Sequence, residues 1–158
     1  MAFALSDLEV TTPAFRDGES IPAKHTCEGD DVSPALNWQG LPEGTKSVAV
    51  FCHDPDAPLV KPGAYGFTHW LIYNLPGGSS GLEEGTSEGD VGVNDAGNSG
   101  YNGPAPPPGH GLHRYFFWVL ALDQELNLEA GLTLEQFLEK VEPHLLGMNR
   151  MMGSYKRD

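Results

Sequence analysis

The chain has 158 residues, a formal net charge of −13, and 20 glycines and 13 prolines. That length fits one domain, 1–158, able to bury roughly 68–70% of its unfolded surface, and the Gly and Pro content favours turns and ordered loops over long helices. The acidic balance argues against nucleic acid and anionic membrane surfaces as partners. No run of ~18 apolar residues is present to span a membrane, and the N-terminus lacks a secretory pattern. Two cysteines, Cys27 and Cys52, are too few for a disulfide framework, so the expected setting is the cytoplasm.

In chain order, Leu8–Thr11 and Ala35–Trp38 read as weak strands, and "SVAVFC" at 47–52 as a strong one. "THWLIYNL" at 68–75 and "RYFFWVLAL" at 114–122 are strong strands as well. A helix is expected over Thr133–Leu146, with Thr133 and Gln136 forming a capping box and Leu134, Phe137, Leu138, Val141 and Leu145 at helical spacing. Pro143 should kink or shorten its last turn. Met148, Met151 and Met152 then read as packing residues or a frayed tail. Between the strong strands lie two long connections, 54–67 and 76–112. The second has 37 residues with 11 Gly and 5 Pro. An interdomain linker is one reading; an ordered, functional 94–112 and a mobile 79–89 is the one preferred, because the flanking pieces of 75 and 46 residues are small for separate domains.

The polar residues cluster at the strand ends. "HDPDAP" at 53–58 places two acids directly after a strand, more polar chemistry than a turn requires. Antiparallel pairing would bring Asp54 and His69 to one sheet edge, with His113 at the start of the third strong strand. Alternation assigns His113, Tyr115 and Phe117 to one face and Arg114, Phe116 and Trp118 to the other; likewise His69, Leu71 and Tyr73 share a face. A carboxylate beside an imidazole sets its tautomer and favours its protonated form, and two such histidines can donate to an anion. The Gly/Pro loop "NSGYNGPAPPPGHG", Gly103 included, can bring backbone N–H groups close, and Tyr101 or Tyr115 can add a hydroxyl. The composite reads as a pocket for a phosphoryl or carboxylate group.

Other readings stand beside it. Asp54 alone fits an Asx turn before Pro55, His53 and His110 fit exposed loop positions, and Arg114 fits a pair with an acid. His53, Asp54, Asp56, His69, His110 and His113 are zinc-type donors, but "HGLH" lacks the helical HExxH spacing, so no metal is expected. No GxSxG, P-loop or GxGxxG occurs, so no nucleotide cofactor is expected. A small hydrolase using Asp54 with His69 or His113 as acid and base, and a pure protein-interaction module, are the alternatives to a binding protein.

"DPDAP" at 54–58, "THW" at 68–70 and "GNSGYNGPAPPPGHGLHRYFF" at 97–117, in that order, resemble the two signature regions of the phosphatidylethanolamine-binding protein family, which includes the Raf-kinase-inhibitor-like proteins. "KHTCEGDDVSPALNWQGLP" at 24–42 resembles its bacterial branch, and the likeness runs from about Phe15 to Tyr155. The resemblance implies a predominantly β fold, a large antiparallel sheet packed on a smaller one, with a C-terminal helix and short helical turns. It implies a non-enzymatic binding protein whose pocket takes phosphate, acetate or a phospholipid head group, with regulation of a partner kinase or protease and homodimer formation as further expectations. Asp54, Pro58, His69, His113 and Tyr115 match the family's ligand-binding positions. Asp56 and Arg114 belong to the same motifs as supports, and the Ala57–Pro58 bond resembles one that is cis in the family. His53 departs from the acid that bacterial relatives often carry, which bears on the pocket rim. The chain also ends soon after Tyr155, short of the C-terminal helix of mammalian relatives, which implies a more open pocket.

Overall fold

Strand β3, Ser47–Asp54, is the centre of the molecule: apart from His53 every residue in it is buried, as suits a run of Val, Ala, Phe and Cys between two packed layers. The computed structural model describes residues 5–57, 62 and 65–158. The larger sheet has five antiparallel strands in the order β6 (Asp90–Val91), β4 (Phe67–Pro76), β3, β7 (His113–Leu122) and β8 (Leu145–Tyr155). The smaller has three, β1 (Glu9–Thr11), β2 (Leu36–Gln39) and β5 (Gly81–Leu82). Val48, Val50 and Cys52 face the smaller sheet and pack with Leu36, Trp38 and Phe117. Ala49 and Phe51 face the other way, toward Phe137 and Val141 of helix α1 (Leu134–Val141). Strand alternation thus feeds two cores, one between the sheets and one under the helix.

The capping box forms as expected: Gln136 N–H donates to Thr133 Oγ1, and Thr133 N–H to Gln136 Oε1. The helix stops at Val141, however, and Glu142–His144 makes a 3-10 turn. Pro143 cannot donate into a continuing helix, so Leu145, which fits the helical spacing, opens β8 instead. Met148, Met151 and Met152, expected to be packing residues or a frayed tail, lie in this strand. Its glycines and polar residues weaken the local β signal, yet it pairs with β7 from His113↔Tyr155 to Leu122↔Leu145. Met151 joins the inter-sheet core and Met148 the core under the helix. Gly153 in β8 is needed for packing, since a Cβ there would lie 2.5 Å from Ile21 Cγ1 and 2.6 Å from Phe15 Cε2.

The long 76–112 connection folds back on both sheets. β5 pairs with β2 and β6 with β4. Residues 79–89, expected to be mobile, are anchored: Trp38 Nε1–H donates to Ser79 O at 2.9 Å, and Gly85 N–H to Ser33 O at 3.0 Å. No helix among the described residues is long and apolar enough to cross a membrane.

Candidate functional site

Antiparallel pairing puts the C-terminal end of β3 beside the N-terminal ends of β4 and β7, and four side chains meet there. Asp54 is 2% exposed, His69 5%, His113 4% and Tyr115 1%. His69 arrives by a route that alternation does not give. Cys52 pairs with Trp70 and His53 with Thr68, so His69 is the extra residue of a β-bulge. The bulge turns His69 onto the face of Tyr115, whose ring it meets edge-on at 5.2 Å, while Leu71 and Tyr73 go to the core under the helix. The expected common face for His69, Leu71 and Tyr73 is therefore corrected.

His113 Nδ1 lies 2.7 Å from Asp54 Oδ2. Carboxylate oxygens accept, so Nδ1 carries the hydrogen. The other oxygen of Asp54 accepts the Asp56 N–H at 2.8 Å, so the Asx turn and the histidine contact are two roles of one side chain. His113 Nε2 lies 2.7 Å from His110 Nδ1, where one ring donates and the other accepts. His110 was read as a mere loop residue; it is exposed, but it ends an Asp54–His113–His110 chain that runs from the interior to solvent. The closely spaced "HGLH" was the signal.

His69 Nδ1–H donates to Asn102 O at 2.7 Å. Burial holds the pKa of His69 below the ordinary histidine value, against weaker upward pulls from the Asn102 carbonyl and Asp54. The neutral ring then presents an Nε2 lone pair, and Nε2 has no partner among the described residues. Tyr115 keeps its proton, because burial first and Asp54 second push its pKa far up.

The loop 94–107 forms a wall, but differently from expectation. Asn102 N–H donates to His69 O at 3.0 Å, and Gly103 N–H to Asp31 Oδ1 at 2.7 Å, so neither is free for an anion. Gly103 is instead a close-approach residue, since a Cβ would fall 2.1 Å from His25 O. The Tyr101 hydroxyl donates to His25 O at 2.7 Å, and its ring meets Trp70 edge-on at 5.6 Å, so Tyr101 braces the wall and offers no hydroxyl to the cleft. Arg114 pairs with Asp56 through Nη2–Oδ1 at 2.8 Å and Nε–Oδ2 at 2.9 Å, and its N–H adds a third bond. This clamps the turn after β3 onto β7, and the guanidinium bonds hold the Asp56 carboxyl below its ordinary pKa. Pro58 and the Ala57–Pro58 bond lie outside the described residues. His53 faces the opposite side of the sheet, in a groove with Pro55, Phe116, Trp118 and Arg150, so it is not part of the cleft rim.

Between these groups lies a cleft of about 300 Å³, walled by Ala57, Phe67, Ala96, Ala105, Pro106 and Pro107, with Asp54, His69, His113 and Tyr115 among its polar lining. A small apolar cleft with a few converging polar groups is the usual build of a small-molecule site. Cys27 and Asp31 also line it; nothing in their local spacing announced this. Among the described residues no three His, Cys, Asp or Glu side chains are grouped to hold a metal ion.

A two-sheet β fold thus carries a buried carboxylate–imidazole pair at one end of its larger sheet. The family profile described as phosphatidylethanolamine-binding protein matches residues 11–156, and the chain belongs to that family. It is 45% identical over 157 residues to a UPF0098 protein of Methanothermobacter thermautotrophicus, covering 95% of this chain and 99% of that one. Among solved structures it is similar to the Chlamydia trachomatis phosphatidylethanolamine-binding protein homologue CT736, with a TM-score of 0.88 and 38% identity over 96% of this chain and 98% of that one. It is also similar to Escherichia coli YbcL, with a TM-score of 0.87 and 29% identity over 97% of this chain and 100% of the other.

Proposed function

We propose that the cleft binds a small phosphoryl or carboxylate ligand without turning it over. The observation that carries this reading is the polar set of an otherwise apolar cleft: a buried His69 with an open Nε2, beside a His113 oriented by Asp54. An anion oxygen at His69 Nε2 requires a hydrogen there, so binding draws a proton onto the ring. The His113 Nε2 is occupied by His110, so an anion reaches it by replacing that imidazole, which can swing into solvent. Tyr115 stays a neutral hydroxyl and adds no charge. The expected ligands are phosphate, acetate and the phosphoryl part of a lipid head group.

The test is a thermal-shift series with phosphate, acetate and O-phosphorylethanolamine. Stabilisation by at least one anion, lost in His69→Ala, supports the reading; no stabilisation by any of them ends it. The hydrolase alternative draws on the same Asp54–His113 pair. Sustained turnover of p-nitrophenyl acetate or phosphate by the wild-type chain, lost in His113→Ala, would replace binding with catalysis. Action on a partner kinase or protease extends the proposal, and a partner captured from lysate and released by phosphate would link it to the cleft.

A further inference from the structure

Cys27 opens on the same cleft. It follows the 3-10 turn Ala23–His25, and its N–H donates to Pro104 O at 3.1 Å, tying it to the loop that carries Gly103, Ala105 and Pro106 on the cleft wall. Cys27 is exposed and unpaired, whereas Cys52 is fully buried on β3. One thiol of two is therefore within reach of a reagent. The second observation is His69. Its Nδ1 is engaged, its ring is almost fully buried, and no wholly buried side-chain polar atom among the described residues lacks a partner. Its Nε2 has no partner among the described residues, and His69 lines the cleft. The cleft thus combines an accessible thiol on its wall with a histidine nitrogen that has no partner among the described residues. Asp31 and Asp54 also line it, and Glu28 and Asp30 lie close to Cys27 in the chain.

We propose that Cys27 is a thiol-modification site for small amine-bearing disulfides, and that the group it acquires lies in the cleft and excludes the anion. The exclusion rests on the anion reading above; the modification site does not. In the exchange the Cys27 Sγ thiolate attacks one sulfur of the disulfide. A Cys27–S–S–R bond forms, the reagent's S–S bond breaks, and the leaving thiolate takes the proton that Cys27 released. The disulfide is itself the oxidant, and any free thiol reverses the step. Glu28 and Asp30, close to the thiol in the chain, favour an ammonium-bearing disulfide over a carboxylated one at Cys27, while the anion of the reading above is met by the histidines deeper in the cleft.

The experiment treats the full chain with cystamine, and in parallel with glutathione disulfide, and follows it by intact mass and by NMR of the imidazole nitrogens. The expected result is a single adduct absent from Cys27→Ser, forming faster with cystamine, with His69 resonances shifted and the thermal stabilisation by phosphate lost. No adduct on the native chain, when the urea-unfolded chain takes two, would overturn the site. An adduct that leaves the His69 resonances in place would overturn its seat in the cleft, and equal rates for the two disulfides would overturn the amine preference. Phosphate stabilisation that survives modification would overturn the exclusion. If the adduct forms and shifts His69 but phosphate never stabilises even the unmodified chain, the anion reading falls and the Cys27 site stands.

Discussion

Asp54 and His113 are 59 residues apart in the chain and 2.7 Å apart at the end of the larger sheet, both almost fully buried. Asp54→Ala would leave the His113 Nδ1–H and the Asp56 N–H without acceptors inside the protein. The expected loss is about 1–3 kcal/mol of stability, the usual cost of an unsatisfied buried group, read as a lower urea midpoint with an unchanged slope. Asp54→Asn keeps an acceptor oxygen and should lose less. Equal midpoints for wild type and Asp54→Ala would show that the pair does not hold this end of the sheet.

His110 occupies the His113 Nε2, so an anion proposed to bind there has to displace it. His110→Ala removes the competitor and should tighten phosphate binding, measured by titration calorimetry. Because His110 is exposed, stability should change little. Weaker binding in this variant would mean that His110 contacts the anion itself.

His69 predicts two opposite pH effects. Burial lowers its pKa in the folded chain, so the unfolded chain takes up this proton at a higher pH, near 6.5. Stability should therefore fall as pH drops through about 6.5 and level off below the folded value of His69. A His69→Gln variant should lack this part of the curve. An anion at Nε2 favours the protonated ring, so the affinity for acetate, which stays ionised over this range, should fall as pH rises. Calorimetry in buffers of different ionisation enthalpy would detect the proton uptake, and uptake unchanged in His69→Gln would assign it elsewhere.

Gly103→Ala sets a Cβ 2.1 Å from the backbone oxygen of His25. No side-chain rotation relieves a clash with backbone, so the loop must move and the Gly103–Asp31 bond must lengthen. A loss of about 1–3 kcal/mol is expected, together with weaker anion stabilisation, because Asn102 in the same loop holds the His69 Nδ1–H. Wild-type stability in this variant would mean that the close approach does not constrain the loop.

Much of this site was legible before the fold was known. The three strong strands carry dense β-branched and aromatic residues, and each appears within a few residues of its expected place. The face of His113, Tyr115 and Phe117 follows from simple alternation. β8 was not legible, because Gly147, Asn149, Arg150 and Gly153 give little local β signal, and it is the partner strand β7 that draws these residues into the sheet. The face of His69 was misread because a bulge shows only in the register between two strands. The role of His110 lay within reach in the close spacing of "HGLH", whereas that of Cys27 depends on a loop that returns from a distant part of the chain, and spacing cannot report such a return.

Local pattern and residue chemistry were enough to establish a mainly β chain, the motifs of the phosphatidylethanolamine-binding protein family, and Asp54, His69 and His113 as the groups to watch. Which nitrogen of each histidine is engaged, which backbone N–H groups are already used, and which thiol faces the cleft were decided only on folding. Those properties belong to pairs of groups far apart in sequence, and hydrogen-bond partners become definite only when the sheets and the returning loops pack against one another.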